Sequence, residues 1–463
     1  MTRTIQAAHL LLGDGWASPG HVVADQAGMI VAAARGAAPD PGPDLVLDGF
    51  VVPGMANLHS HAHHRGLVGF ADRLQAGSAA TLWSWRTTMY EHLLGLGPDD
   101  LEAYATLAYV EMLRRGYTSV GEFHYIHHDP DGSRYANPAE LSERILAAAE
   151  AAGIALTILP ALYTSGGVGR PPEPEQRRFI TTVDEYVALV QSLDALAARS
   201  PLLNVGVAPH SLRAVTPSEL LELLRARPKG PVHIHAAERP EEVAEISDGL
   251  GARPVQWLLE HAGLDERWCV IHATHMTETE RRGLAASRAG AGLCPLTEAN
   301  LADGRFDLAA FRHDGGRFGV GTDANHLIDL SGELRMLEYG QRLQSHRRET
   351  LLAPGETSVG ATLHGLARAG GAQVLAQPTG AIAPGARCDL VELDAEHPAL
   401  AGQTTQTVLD AWTFSSASDT IVRTVLVGGR EVIVDGSHPL QEIARRRVAA
   451  VMRERYAGIR PAG

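Results

Sequence analysis

The sequence predicts an α/β fold of the (β/α)8, TIM-barrel type, joined to a small β-sandwich domain formed by both chain termini. Two observations predict the barrel: short apolar segments bounded by turn residues recur along the chain, and segments with helical spacing of Leu and Ala separate them. The apolar segments cover residues 50–58, 118–125, 155–162, 203–209, 231–236, 268–273, 289–294 and 318–322. The helical segments cover residues 98–115, 138–152, 182–199, 217–227 and 239–261. Eight alternating units favour a closed parallel barrel, and no G-x-G-x-x-G follows the first strand.

The two ends of the chain have a different sequence pattern from the repeating middle. Residues 1–49 and 376–436 contain short strands and turns, which predict the small β-sandwich domain. Residues 50–375 then form the metal-dependent barrel, and residues 437–463 form a C-terminal helix and tail. The helix itself is expected at residues 439–457.

Composition restricts the class of protein. The 463 residues are 45% hydrophobic and 20% charged, which is typical of a soluble globular enzyme. The formal net charge of −14 argues against a nucleic-acid or anionic-membrane surface. The partner that we expect is a small-molecule substrate. The three cysteines include no C-x-x-C pair, and the N-terminal apolar run is too short for a signal peptide or membrane helix. A cytoplasmic location is therefore expected.

Polar side chains follow the predicted strands where the strands end, and these ends meet on one face of a barrel. His59 and His61 follow the first strand, His233 and His235 close the fifth, and Asp323 follows the eighth. Alternation along a strand puts each histidine pair on one side, so either His233 or His235 is suitable, and His235 is preferred as nearer the strand end. Three imidazoles and a carboxylate suit a catalytic Zn²⁺ ion, with Fe²⁺ also compatible. A chance pair among 22 histidines is the alternative for His59 and His61 alone.

Two motifs resemble those of the amidohydrolase superfamily, and the resemblance covers nearly the whole chain. Residues 52–61, V-P-G-M-A-N-L-H-S-H, resemble its first-strand motif, and Gly321-Thr322-Asp323 resembles its eighth-strand motif. Binuclear members use a carbamylated lysine at the fourth strand, whereas the sole lysine here, Lys229, precedes the fifth. The resemblance therefore implies one Zn²⁺ per chain, and it also implies a homodimer.

Five further segments are similar to the formimidoylglutamate deiminases of histidine degradation. They are W-S-W-R at 83–86, G-E-F-H-Y-I-H-H-D at 121–129, H-S-L-R-A-V at 210–215, T-E-A-N-L at 297–301 and L-E-Y-G-Q-R at 337–342. This likeness implies a zinc-dependent hydrolytic deiminase that converts N-formimino-L-glutamate, or a close analogue, and water into an N-formyl amino acid and ammonia. The resemblance also implies five residues that bind the anionic, amidine-bearing substrate: His64, Arg86, Tyr125, His210 and Arg213. Each arginine has a surface or structural role as its alternative.

Three residues have the chemistry for the reaction itself. Asp323 can take a proton from the attacking water, and His272, which closes the sixth strand, can stabilise the developing charge. Glu238 follows His235 by three residues and can protonate the departing nitrogen while pairing with an amidinium group. The alternatives are a core role for His272, with His275 as its rival, and a solvated helix start for Glu238.

Two departures from the deiminase pattern lie at the predicted mouth of the barrel. Residues 63–65 are H-H-R where the family typically has F-Q-R, so His64 replaces a substrate-binding glutamine. Residues 324–327 are A-N-H-L where the family has S-H-V-S. Alternative substrates are therefore another formimino amino acid, a guanidino acid or an aminated heterocycle. A catalytically silent barrel that serves in binding is an alternative from another class.

Overall fold

The computed structural model describes residues 2–70, 82–348, 350–415 and 421–456, and the side chains of residues 82–86 and of residue 456 lie outside this description. The strands are β1 Arg3–Leu12, β2 Gly15–Ala17, β3 Gly20–Ala24, β4 Ile30–Arg35, β5 Leu45–Pro53, β6 Met55–Ser60, β7 Tyr117–His124, β8 Ala155–Leu162, β9 Leu203–Val205, β10 Ala208–Pro209, β11 Val232–Ala236, β12 Trp268–His272, β13 Gly290–Leu293, β14 Arg317–Val320, β15 Leu390–Leu393, β16 Val422–Val427 and β17 Arg430–Ile433. The α-helices are α1 Leu82–Leu93, α2 Pro98–Leu113, α3 Glu140–Ala152, α4 Val183–Ala197, α5 Pro217–Ala226, α6 Pro240–Leu250, α7 Pro254–His261, α8 Glu278–Ser287, α9 Pro295–Leu301, α10 Leu308–His313, α11 Leu330–Ser345, α12 Val359–Leu375, α13 Val408–Phe414 and α14 Gln441–Tyr456. Short 3-10 helices occupy Ala62–Leu67 and Pro174–Gln176.

The middle of the chain forms two groups of parallel strands. One sheet has the order β10-β8-β7-β6, with β9 also paired to β8, and the other has the order β11-β12-β13-β14. Parallel bridges join the two sheets at both sides, between Val207 and Val232 and between Ser60 and Asp323. Each of the eight predicted barrel segments contains a strand, and the sequence prediction of alternating β and α units is confirmed.

The first predicted strand, 50–58, is divided by Gly54. Residues up to Pro53 belong to β5 of the terminal sheet, and β6 begins at Met55. A Cβ on residue 54 would lie 2.1 Å from Oγ1 of Thr118 on β7. Only glycine therefore allows the backbone between β5 and β6 to approach β7 at this point. The apolar pattern continues across the break because both strands are buried, which is why the sequence suggested one strand.

The predicted helix 239–261 is likewise two helices. Helix α6 ends at Leu250, and Gly251 has φ +74°, a left-handed conformation that terminates helices. Helix α7 begins at Pro254, where proline is favoured because its missing N–H needs no partner in the first turn.

Both chain termini meet in one eight-stranded sheet of order β17-β16-β15-β5-β1-β3-β4, with β2 paired to β1. The described terminal strands are thus hydrogen-bonded into a single sheet. A separate apolar core lies on its face and combines residues from both termini. Its members include Ile5, Leu10, Val22, Leu47, Val51, Cys388, Leu390 and Leu426.

A buried ion pair joins the terminal sheet to the parallel strands. Nη2 of Arg387 donates to Oδ2 of Asp389 at 2.7 Å, and these side chains are 2% and 1% exposed. Asp389 also accepts a hydrogen bond from Oγ1 of Thr118 on β7 at 3.2 Å. Because the surrounding donors satisfy the carboxylate, this junction is a polar contact that fixes the two parts against each other.

The last described helix, α14, packs on α2, where Oη of Tyr104 donates to Sδ of Met452 at 2.9 Å. Nη2 of Arg455 donates to the carbonyl of His92 at 2.7 Å. This agrees with the helix predicted at 439–457. Within the described ranges, every helix is too short or too polar to cross a bilayer.

Candidate metal centre and substrate pocket

The centre begins with two histidines at the end of β6. Strand residues alternate between faces, so His59 and His61 project to the same side of the sheet. His59 is fully buried, and His61 is 4% exposed. Nδ1 of His61 donates to the carbonyl of Phe123 at 2.7 Å. This bond fixes the tautomer and leaves the Nε2 lone pair of His61 free for a cation.

His235 adds a third imidazole from the end of β11. Its Nδ1 donates to the carbonyl of His210 at 3.0 Å, and its Nε2 lies 3.1 Å from Nε2 of His59. His233, two residues earlier, instead uses Nε2 to donate to the carbonyl of Val374 at 2.8 Å. The geometry therefore favours His235 over His233 as a ligand.

Asp323 brings a carboxylate to the same point from the end of β14. Its Oδ1 lies 3.4 Å from Nε2 of His59 and 3.4 Å from Nε2 of His61. Burial raises the pKa of Asp323, but the hydrogen bond with His59 and the neighbouring imidazoles hold that pKa below its ordinary value. The carboxyl group is therefore ionised.

These four side chains have the chemistry of a zinc site. Burial lowers the pKa of His59 to about 3 and also lowers the pKa values of His61 and His235, so their imidazoles are neutral ligands. The ligand atoms of the three histidines lie within 4.8 Å of one another. Lone pairs and a carboxylate that face one another repel unless a cation lies between them. The donor set therefore fits Zn²⁺, which prefers imidazole and carboxylate ligands.

His272 lies beside this cluster, with φ +66° at the end of β12. Its Nδ1 donates to Oε1 of Glu298 at 3.2 Å. Its Nε2 lies 3.8 Å from Oδ2 of Asp323 and 3.9 Å from Oε1 of Glu238. Burial lowers the pKa of His272, but the charges of Glu238 and Asp323 and the Glu298 hydrogen bond raise it to about 10. This imidazole thus has donors directed both at an anchoring carboxylate and at the cavity.

Glu238 follows β11 and lines the cavity with its side chain 23% exposed. Its backbone is held by Glu242, whose carboxylate accepts from the N–H of Ala237 at 3.2 Å and of Glu238 at 2.8 Å. His275, the rival of His272, points elsewhere, because its Nε2 donates to the carbonyl of Asp303 at 2.6 Å. The carboxylate of Glu238 is therefore available to a molecule in the cavity.

Four of the five residues predicted to bind substrate line this same cavity: His64, Tyr125, His210 and Arg213. The fifth, Arg86, lies among the residues whose side chains are outside the described structure. Arg213 makes no ion pair with any described residue, and its buried Nε has no hydrogen-bond partner among them. A cation in this state is suited to an anionic ligand.

Several aromatic side chains line the rest of the cavity. Nε2 of His64 is hydrogen-bonded to Oη of Tyr125, and both side chains are buried. Burial lowers the pKa of His64 well below its usual range, so this imidazole is neutral. Further walls come from Met89, Tyr90, Tyr163 and Phe179. The combination is a polar centre within an apolar enclosure, as in most small-molecule sites.

Two side chains that the sequence did not predict for the site support His272 and Glu238, the predicted catalytic residues. Glu298 holds His272, and Glu242 holds the backbone of Glu238. Glu298 lies within the T-E-A-N-L segment already singled out, and Glu242 lies in the acidic helix start. A third residue, Cys294, lies near His272 and Asp323, but burial raises the pKa of its thiol well above the ordinary value. Cys294 is therefore a neutral neighbour of the centre.

Comparison with known proteins identifies the class to which this fold and centre belong. A model of the amidohydrolase family matches residues 50–432, so the chain belongs to the amidohydrolase family, hydrolases that act on carbon–nitrogen bonds. The chain is 44% identical over 458 residues to formimidoylglutamate deiminase of Pseudomonas aeruginosa, which covers 97% of this chain and 99% of that relative. The resemblance predicted from the motifs is confirmed.

Solved structures agree with this assignment. An amidohydrolase from Brucella melitensis has a TM-score of 0.92 and 41% identity, with 98% of this chain and 99% of that chain covered. An adenosine deaminase from Xanthomonas campestris with bound zinc has a TM-score of 0.80 and 22% identity over 98% of each chain, which shows the fold alone. The chain thus has the mixed α/β fold of these two structures.

Proposed function

We propose that this chain is a zinc-dependent hydrolytic deiminase. Its substrate would be N-formimino-L-glutamate or a close analogue, and its products an N-formyl amino acid and ammonia. The observation that carries the proposal is the convergence on one cavity of a candidate metal centre, the carboxylate of Glu238 and the guanidinium of Arg213, which forms no ion pair with the described residues. The relative from Pseudomonas aeruginosa, a formimidoylglutamate deiminase, adds support for the substrate.

We assign one Zn²⁺ per chain to His59, His61, His235 and Asp323. The fit rests on three neutral imidazoles and an ionised carboxylate whose ligand atoms face one another. Fe²⁺ has related ligand preferences and remains an alternative for the same residues. When bound, the ion would supply a water made acidic enough to act as a nucleophile near neutral pH.

The chain's own residues would then move the protons. Asp323 accepts a proton from the attacking water, because its carboxylate is ionised and lies at the centre. His272, 3.8 Å from Asp323, donates a hydrogen bond to the charge that develops during attack. Glu238 would pair as a carboxylate with the amidinium, take up the second proton of the attacking water and pass it to the departing nitrogen, which leaves as ammonia, while Asp323 releases the first proton to solvent.

The substrate's carboxylate would be bound by Arg213 and by Arg86, with His64, Tyr125 and His210 as hydrogen-bonding partners. Guanidinium groups recognise carboxylates through two parallel hydrogen bonds, which fixes orientation as well as charge. The amidine end would then lie toward Glu238 across the aromatic enclosure.

A variant of Arg213 tests this binding role. We expect Arg213→Ala to lower kcat/KM by about 10²-fold or more, because the substrate carboxylate loses a partner at a cost of about 3–5 kcal/mol. Steady-state ammonia release with the proposed substrate measures the effect. Arg170→Ala is the control, since Arg170 is exposed and paired with Glu245 at 2.7 Å. An unchanged kcat/KM for Arg213→Ala would remove this residue from the site.

A second function, deimination or deamination of another substrate, is favoured by His64. This imidazole stands where the deiminases typically have glutamine, and it contacts Tyr125 in the cavity. With the aromatic walls of Tyr90, Tyr163 and Phe179, such a pocket suits another formimino amino acid, a guanidino acid or an aminated heterocycle. The reaction would be the same C–N hydrolysis.

The two functions are separated by ammonia release over a panel of compounds. The panel comprises N-formimino-L-glutamate, its aspartate analogue, guanidino acids, aminopurines and pterins. We expect N-formimino-L-glutamate to have the highest kcat/KM. Turnover of another compound with N-formimino-L-glutamate inert would contradict the substrate but retain the reaction class. A purified protein without metal or turnover would favour the catalytically silent binding barrel.

We further propose a closed barrel at residues 50–375, a small β-sandwich domain from residues 1–49 and 376–436, and a C-terminal helix and tail at 437–463. Support for closure comes from the parallel bridges on both sides of the two sheets. Support for the terminal domain comes from its apolar core shared by both chain ends, which a sheet curled on itself would enclose. By family likeness we also propose a cytoplasmic homodimer.

A further inference from the structure

A continuous network of side-chain hydrogen bonds lies behind the candidate metal centre and connects β6, β7 and the loop after β14. Nδ2 of Asn325 donates to Oγ of Ser60 at 3.1 Å, and Oγ of Ser60 donates to Oε2 of Glu122 at 2.7 Å. In the other direction, Oγ1 of Thr322 donates to Oδ1 of Asn325 at 2.5 Å and accepts from Nδ2 of Asn57 at 2.7 Å. All five side chains are at most 1% exposed, so water does not compete for these bonds.

Within this hydrogen-bond network, Asn325 contacts both the segment that carries Asp323 and the segment that carries His59 and His61. Its Nδ2 also donates to the carbonyl of Asp323 at 3.1 Å, and that carbonyl accepts the N–H of His61 at 2.9 Å. Ser60, its other partner, lies between His59 and His61. This amide therefore adds side-chain hydrogen bonds to the backbone bonds from the N–H groups of Thr322 and Asp323 to the carbonyl of His59, at 3.0 and 2.9 Å, that hold the carboxylate segment against the histidine segment.

The backbone here requires such support. Asp323 has φ +44° and Asn325 has φ +53°, in the left-handed region that non-glycine residues rarely adopt. A conformation of this kind persists only where its surroundings determine it strongly. The direction of the Asp323 side chain follows from this backbone, since φ determines where its Cβ points.

We propose that Asn325 is a positioning residue that keeps Asp323 aligned with His59 and His61 so that their ligand atoms converge on one cation. This inference rests on the proposed metal site and concerns how the site is built. It assigns a role to a position at which the sequence departs from the deiminase pattern, where the family has histidine. Asn325 lies behind the ligands and touches no substrate.

Zinc affinity in a competition with a chromogenic chelator tests the proposal. Asn325→Gly tolerates a positive φ but removes the amide, and Asn325→Asp keeps the acceptor for Thr322 but loses the donor for Ser60. We expect both variants to bind zinc about 10-fold to 100-fold more weakly than the wild type, as when a partner of a metal ligand is removed. If Asn325→Gly does not fold, Ser60→Ala removes the same link from the other side and is expected to shift affinity in the same direction.

Thr118→Val is the matched control. It removes a buried hydrogen bond to Asp389, remote from the centre, so its thermal unfolding reports the general cost of losing such a bond. We expect it to lower Tm without changing zinc affinity. Wild-type zinc affinity in Asn325→Gly or Ser60→Ala would overturn the positioning role. A wild-type protein that binds no zinc would instead contradict the metal site, and one that binds zinc without deiminating the panel would contradict only the proposed function.

Discussion

Removal of the metal is expected to abolish ammonia release, and one equivalent of Zn²⁺ per chain is expected to restore it. The cation is what lowers the pKa of the attacking water to about 7. Without it, that pKa stays near the value for bulk water, about 15.7. A loss of several kcal/mol of transition-state stabilisation predicts a decrease of about 10³-fold or more in kcat/KM. The measurement is ammonia release after chelation and after titration with zinc, with metal content determined in parallel.

His233 and His235 provide an internal comparison for this prediction. They lie on the same strand and are both buried, but only His235 is near His59 and His61. We expect His235→Gln to lose its zinc and its activity. We expect His233→Gln to keep one zinc per chain, since that imidazole is bonded to the carbonyl of Val374. Equal zinc loss in both variants, with both folded, would contradict the assignment of ligands.

The strand ends explain why the residues of the candidate metal centre could be predicted from sequence to lie together. A residue at the C-terminal end of a parallel strand has its position fixed by the sheet, so the sequence positions of His59, His61, His235 and Asp323 translate into proximity. The period of two along a strand also sets which neighbours share a side. The side chains of these four residues do lie together, and His272 and Glu238 lie beside them.

The supporting contacts were not predictable in this way. Glu298 reaches His272 from helix α9, and Asn325 reaches Ser60 from the loop after β14, so both contacts depend on loop paths that no periodicity describes. The division at Gly54 was hidden for a related reason. Burial on both sides of the break maintained one apolar run, while the break itself is required by the close approach of Thr118.

Net charge and local charge lead to different conclusions about the substrate. The chain as a whole carries a formal charge of −14, which would repel an anionic molecule at long range. Within the cavity, however, the guanidinium of Arg213 forms no ion pair with the described residues. Because screening limits long-range repulsion to about 8 Å at physiological ionic strength, the net charge does not conflict with the proposed binding of an anionic substrate at Arg213.

Glu238→Gln is expected to lower kcat by about 10²-fold to 10⁴-fold while zinc content stays at the wild-type level. The amide has nearly the same shape as the carboxylate, but it cannot deliver a proton to the departing nitrogen. Oε1 of Glu238 lies 3.9 Å from Nε2 of His272 and is not a ligand in the predicted set, so metal binding does not depend on its charge. Steady-state kinetics and metal analysis on the same preparation measure both effects.

Glu241→Gln is the matched control for this change, because Glu241 lies three residues further along the chain and its side chain is 73% exposed. Each of the two substitutions removes one negative charge. If the loss of charge alone lowered kcat through long-range electrostatics, both variants would lose turnover by a similar factor. A local proton-transfer role predicts a large decrease for Glu238→Gln and wild-type turnover for Glu241→Gln. A positioned general acid is expected to raise kcat by about 10²-fold or more. If kcat of Glu238→Gln stayed within about tenfold of the wild type, Glu238 would not be that acid.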